Sequence, residues 1–170
     1  MISAVIDDLS REFPEAANGA RWELLSDRVM GGVSSGSLRR EMVRGRNAIR
    51  LQGDVSLENN GGFIQMALDL SPDGRSIDGR GFSGLEIEVS GNGEAYGLHL
   101  RTEDLLRPWQ SYRQAFAADE QWRVIALPFS AFHAHRTDAP LDLAKLRRIG
   151  LVAIGRAFRA DLAVSAVRFF

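Results

Sequence analysis

The sequence predicts an all-β fold of the sandwich or barrel kind, from three features: apolar and polar residues alternate with a period of two, turn signals separate the alternating runs, and almost nothing reads as a helix. Ala48 to Leu57 sets the pattern, with Ile49, Leu51, Val55 and Leu57 on one face and Arg50, Gln52, Asp54 and Ser56 on the other. Successive strand side chains point to opposite sides, so the segment has one dry and one wet face. The same split recurs in Gly62 to Leu70, where Ile64, Met66, Leu68 and Leu70 oppose Phe63, Gln65 and Asp69. In Leu85 to Ser90, Leu85, Ile87 and Val89 point inward and Glu86 and Glu88 outward; in Ala95 to Thr102, Tyr96, Leu98 and Leu100 alternate with His99 and Arg101.

Trp122 to Leu127, Arg148 to Ile154 and Leu162 to Phe170 are more continuously apolar, as expected of strands covered on both sides or lying deep in a sandwich. Turns are signalled at Glu58-Asn59-Asn60-Gly61-Gly62, Ser71-Pro72-Asp73-Gly74, Ser90-Gly91-Asn92-Gly93 and Ala118-Asp119-Glu120. The second Gly-rich stretch, Gly91 to Gly97, follows a strand but precedes another alternating run, which predicts a hairpin and not a dinucleotide loop. Ser10 to Ala17 is expected to form a short helix and Asp142 to Arg147 a single turn; neither is long enough to cross over between parallel strands.

At 170 residues the chain is expected to form one domain, 1–170, around one core. With 21 basic and 22 acidic residues it has no global field to draw it to nucleic acid or to an acidic membrane. No cysteine is present, so disulfides, thiolate metal sites and cysteine nucleophiles are excluded. Met1 to Asp8 lacks the pattern of a signal or transit peptide, and no run of about 18 apolar residues is present. These features predict a cytoplasmic protein that does not insert in a membrane.

Catalytic patterns are weak. Glu86 and Glu88 lie on one strand face, whereas a glycosidase pair must flank the bond from opposite sides. His99, His133 and His135 are present without a nucleophile elbow, and no phosphate-binding Gly-Lys-Ser/Thr follows Gly31-Gly32. His133, His135 and Asp138 in a polar loop are expected to be solvated and not to hold a metal. No cofactor is expected, and the chain reads as a non-enzymatic binding domain.

The most distinctive segment is Ser26-Asp27-Arg28-Val29-Met30-Gly31-Gly32-Val33-Ser34. Its Asp and Ser can bond nearby amides, and its paired glycines permit close backbone approach. A loop that satisfies its own amides is expected, with an anion-holding nest as the alternative. This segment is followed in order by Leu57-Glu58-Asn59-Asn60-Gly61-Gly62-Phe63, Gly81-Phe82-Ser83-Gly84-Leu85, Trp109-Gln110-Ser111-Tyr112 and Leu127-Pro128-Phe129. Together they resemble the CIA30 family, named for the mitochondrial complex I intermediate-associated protein, over about residues 20 to 170. The resemblance implies a galactose-binding-domain-like jelly-roll sandwich, similar in fold to several carbohydrate-binding modules. It also implies a non-catalytic role in assembling NADH:ubiquinone oxidoreductase (complex I), or a related protein-binding role in a bacterial member.

The residues themselves suggest where binding would occur. Gln65, Glu88, His99 and Arg101 on a sheet face, beside a loop with Trp109, Gln110 and Tyr112, offer flat rings and directed hydrogen bonds. Asp27, Arg28, Gly31, Gly32 and Asn60 are expected to shape the adjacent loops. The expected partner is a protein, with a glycan bound through the sheet face and the Trp109/Tyr112 loop as the alternative. Trp22 and Trp122 are expected to be structural and Trp109 exposed.

Overall fold

The computed structural model describes residues 2–170, so Met1, the first residue of the N-terminal stretch above, lies outside them. In chain order the first six strands are β1 (Val5–Asp7), β2 (Glu23–Ser26), β3 (Ser35–Val43), β4 (Arg46–Val55), β5 (Phe63–Asp69) and β6 (Gly84–Gly91). They are followed by β7 (Glu94–Thr102), β8 (Ser111–Ala118), β9 (Arg123–Pro128), β10 (His133–His135), β11 (Leu146–Ile154) and β12 (Phe158–Phe169). Sheet I has the order β3-β4-β12-β6-β9, with β1 also paired to β12; sheet II has the order β10-β8-β7-β11-β5-β2. Neighbours are antiparallel throughout, as the sandwich reading requires.

The alternation places the core. Ile49 and Leu51 of β4, Ile87 of β6 and Leu162 of β12 meet Ile64, Met66, Leu98 and Leu151 of sheet II in one buried cluster. Burying a side chain of this size contributes roughly 1.5–3 kcal/mol. Trp22 closes one edge, 4% exposed, its indole N–H donating to Asp7 Oδ2 at 2.7 Å.

Three expectations are corrected. Ser10 to Ala17 is not helical: Pro14 lacks the N–H a helix interior needs, and the chain folds back to bridge Glu15 with Arg21. Asp7 accepts from the amides of Leu9 and Ala17 and so holds this fold-back. Gly91-Asn92-Gly93 is not a hairpin turn, because β6 lies in sheet I and β7 in sheet II. The turn hands the chain from one layer to the other, and Asn92 is fixed there by the Tyr96 hydroxyl, which donates to Asn92 Oδ1 at 2.6 Å. β9 is not covered on both faces either; it is the edge of sheet I, with Val124 57% exposed. Trp122 just before it packs on the outside of the sheet, against Val43, Ala48 and Ala163. The turn expected near Asp142 does form, at Leu143–Lys145, with Asp142 capping it.

Candidate binding face

The Ser26 to Ser34 segment satisfies itself around one carboxylate. Asp27 is fully buried and accepts from the Ser34 amide at 3.0 Å, the Ser34 hydroxyl at 2.5 Å, the Gly62 amide at 2.6 Å and the Phe63 amide at 3.2 Å. Burial alone would raise the pKa of this carboxyl, but the bonds from Ser34, Gly62 and Phe63 outweigh it and hold the group below its ordinary range. A Cβ at Gly32 or Gly61 would collide with the Asp27 carboxylate, so both positions need glycine. Gly31 takes a left-handed conformation to end the single 3-10 turn Asp27–Met30, and Arg28 Nε donates to the Ser34 carbonyl at 2.8 Å. Asn59 donates to the Gly31 carbonyl, and Asn60 adopts φ 58°. Two segments far apart in sequence are thereby locked together, and with them the start of β5 and the position of Gln65.

Gln65, His99 and Arg101 share the outer face of sheet II. One row across that face runs His133, Arg113, His99, Gly150, Ala67 and Glu23, each opposite the next on adjacent strands. Directly opposite residues have Cβ atoms about 4.5–5.5 Å apart. The floor is low: Gly97, Gly150 and Val152 are buried on this outer side. A Cβ at Gly97 would press on the His99 ring, and one at Gly150 would strike the Gln65 amide, so both side chains lie flat across glycine.

The electrostatics of this face are one-sided around Arg113, on β8, β7 and β10, while Glu23 and Asp69 toward the other edge are paired with Arg148. His99 is pushed down to about 3, first by burial and then by the charges of Arg113 and His135. His135 is lowered by burial and then by Arg113 and Arg136. Burial, followed by Arg136, also lowers Arg113. Arg113 Nε donates to Ser111 Oγ at 2.8 Å, and no carboxylate among the described residues forms an ion pair with its guanidinium.

Arg101 has a different task. Its Nη1 donates to the carbonyls of Arg107 at 2.9 Å and Gln110 at 2.5 Å, and its Nη2 to that of Leu105 at 3.2 Å. It thus ties down the loop that carries Trp109. Gln110 adds to this by donating to the Arg136 carbonyl. Trp109 is 55% exposed, with the Arg107 guanidinium 6.0 Å from its ring centroid. The Asp27 loops lie at the opposite end of sheet II, beside the start of β5 and the end of β11, and do not border Trp109.

Two of the expected site residues are not brought to this face. Glu88 lies on sheet I, on the far side of the molecule, where it pairs with Arg46 and accepts from Ser165 Oγ at 2.8 Å. Tyr112 points into the core, 2% exposed, and its hydroxyl donates to the Ala139 and Pro140 carbonyls. Because Tyr112 faces in, its neighbours Ser111 and Arg113 face out. Arg113 was missed because Tyr112 was grouped with the loop; the inward set Tyr112, Gln114, Phe116 was the available signal. Among the described residues, no three His, Asp or Glu side chains gather into a group suited to an ion.

The fold is a two-sheet antiparallel β-sandwich, and solved structures that share it include carbohydrate-binding modules. It is similar to the family 11 carbohydrate-binding module from Clostridium thermocellum in complex with a β-1,3-1,4-mixed-linked tetrasaccharide: TM-score 0.75, 15% identity, covering 99% of this chain and 95% of that one. It is also similar to the family 30 module of a cellulosomal cellulase of Clostridium thermocellum, with TM-score 0.65, 13% identity and coverage of 100% and 98%. An exo-beta-agarase matches with TM-score 0.63 and 11% identity over 99% of this chain and 25% of that one. At such identities the likeness is one of fold. Among curated protein sequences none matches. The profile of the family described as complex I intermediate-associated protein 30 (CIA30) matches residues 11–164, and the chain belongs to that family.

Proposed function

We propose that this chain is a non-catalytic recognition domain that binds a protein partner through the outer face of sheet II, in the manner of an assembly factor for NADH:ubiquinone oxidoreductase. The observation that carries this reading is the composition of the face: a permanent cation, Arg113, without a carboxylate partner, flanked by His99 and His135. Membership of the CIA30 family supports an assembly role. Gln65, Arg101, Trp109 and Gln110 border or organise the same surface.

The test is retention of complex I subunits by the tagged chain in its own cells. Wild type is expected to retain them, and the double substitution His99→Glu, Arg113→Glu is expected to lose them while remaining folded. Equal retention by both would overturn the assignment of the face.

A second reading, glycan recognition, draws on the exposed ring of Trp109 and on the sugar-bound relative of the same fold. It is weakened by the burial of Tyr112, which leaves the floor of glycine, alanine and valine without a ring to cover the apolar face of a hexose. Saturable quenching of tryptophan fluorescence by the mixed-linked tetrasaccharide, lost in Trp109→Ala, together with no retained subunit, would replace the first reading by this one.

A further inference from the structure

The charge on the sheet II face has a consequence for what can bind there. Arg113 is held in place by its bond to Ser111 Oγ, which leaves the two terminal guanidinium nitrogens, a planar pair of donors, without a partner among the described residues. Across the strands it stands opposite His99 on one side and His133 on the other, while His135 stands opposite Ser111. Arg136, in a left-handed conformation just beyond β10, adds a second exposed cation whose charge reaches Arg113. On the acidic side, Glu23 and Asp69 lie toward the other edge of the sheet and are both engaged by Arg148. Half-buried positive charge without a counter-charge is an unfavourable arrangement for the free protein and a favourable one for an anionic ligand.

Resting on the protein-partner reading above, we propose that this row binds the carboxylates of an acidic segment of the partner, with Arg113 taking one carboxylate through both terminal nitrogens and the His99 and His135 imidazoles donating beside it. An Arg–carboxylate fork gives direction as well as charge. The low floor at Gly97 and Gly150 leaves room for a backbone to lie across the face. The imidazoles are neutral at neutral pH, so each has one N–H to offer and does not itself demand a counter-ion. A peptide fits this face better than an acidic polysaccharide because the floor has no aromatic platform.

The probe is a hexaglutamate peptide, titrated into the 170-residue chain at low salt, with polygalacturonate as the comparison. Saturable binding is expected, weakened at least tenfold in Arg113→Gln and unchanged in Arg168→Gln, which removes the same charge from the outer face of sheet I. Arg113→Lys is expected to fall between, since it keeps charge but loses the fork. Independently of any variant, the His99 and His135 ring signals of wild type are expected to shift on peptide addition and their pKa values to rise, because a carboxylate beside an imidazole favours its charged form.

Absence of hexaglutamate binding, or equal affinity in Arg113→Gln, overturns the acidic-segment proposal. Retention of complex I subunits by the same protein would then leave the broader protein-partner reading standing. Polygalacturonate binding through Arg113 without hexaglutamate binding overturns both.

Discussion

The two outer faces of this sandwich are built from the same alternating strands and differ in how their charges are matched. On sheet I, Arg50 forms a fork with Asp161, Nε to Oδ1 at 2.8 Å and Nη2 to Oδ2 at 2.7 Å, and its Nη1 reaches Glu41 at 3.1 Å. Gln52 adds a bond to Asp161, Arg39 a second contact to Glu41, and Arg168 stands opposite Glu86. Most of these side chains are spent on one another. On sheet II, by contrast, Arg113 has no carboxylate partner among the described residues and lies in the field of Arg136. A face whose charges close on themselves contributes to holding the fold, whereas an unmatched charge does not.

The largest expected effect follows from treating one arginine of each face alike. Arg50→Gln removes the shared partner of two partly buried carboxylates and is expected to destabilise by about 3 kcal/mol, as breaking a buried ion pair does. In a chain of this size that is a fall of roughly 6–12 °C in Tm. Arg113→Gln is expected to change stability by no more than about 0.5 kcal/mol, since no carboxylate is left unpaired and only the bond to the Ser111 hydroxyl is lost. Urea denaturation of the two variants at pH 7 reads the difference, and equal losses would erase the contrast between the faces.

The same contrast explains what could and could not be read from the sequence. The layer structure was legible because every strand that faces water on one side must alternate, and Ile49/Leu51, Leu85/Ile87 and Leu98/Leu100 do so without ambiguity. Alternation tells which side of its own sheet a residue takes, but not which sheet the strand joins. Glu88 and His99 therefore looked like neighbours although the turn at Asn92-Gly93 sends them to opposite layers. β8 shows no clean alternation in the sequence because its inner side mixes Tyr112 and Phe116 with a polar Gln114, which is satisfied by donating to the Pro128 carbonyl at 3.1 Å. That the Ser26 to Ser34 loop bonds its own amides was readable from Asp and Ser among glycines. That Asp27 also takes the amides of Gly62 and Phe63 is a tertiary fact no local pattern carries.

Acid separates the faces next. Of the three histidines, His99 is a half-buried residue of sheet II with its pKa pushed down to about 3, against about 6.5 in an unfolded chain. Between those values the unfolded chain takes up a proton that the folded chain refuses. The stability that neutral His99 allows is complete above about pH 6.5 and falls below it at up to about 1.4 kcal/mol per pH unit. From pH 6.5 to 5 the expected loss is about 2 kcal/mol. On sheet I, Arg39 and then Arg50, against burial, hold Glu41 below its ordinary range; for Asp161 burial pushes upward and the bonds from Arg50 and Gln52 overcome it. These carboxylates give up stability only below about pH 4.5. Denaturant unfolding of wild type and His99→Gln between pH 7 and 5 is expected to show a slope in the first and little slope in the second. A slope that survives the substitution would move the acid sensitivity away from His99, with His135 the remaining lowered imidazole of the face.

The smallest effect probes the open charge directly. Arg113 sits half-buried in the field of Arg136, so that repulsion is present in the free protein and disappears when the charge does. Arg113→Gln is accordingly expected to raise stability by about 0.5 kcal/mol in 10 mM salt, where the screening length is about 30 Å. At 1 M salt that length is about 3 Å and the gain is expected to vanish. Arg168→Gln on sheet I, which loses an attraction to Glu86 across the strand pair, is expected to move the other way at low salt and likewise to fade. Opposite signs that converge with salt are what open and closed faces require, and a shared sign would mean that both faces carry the same kind of field.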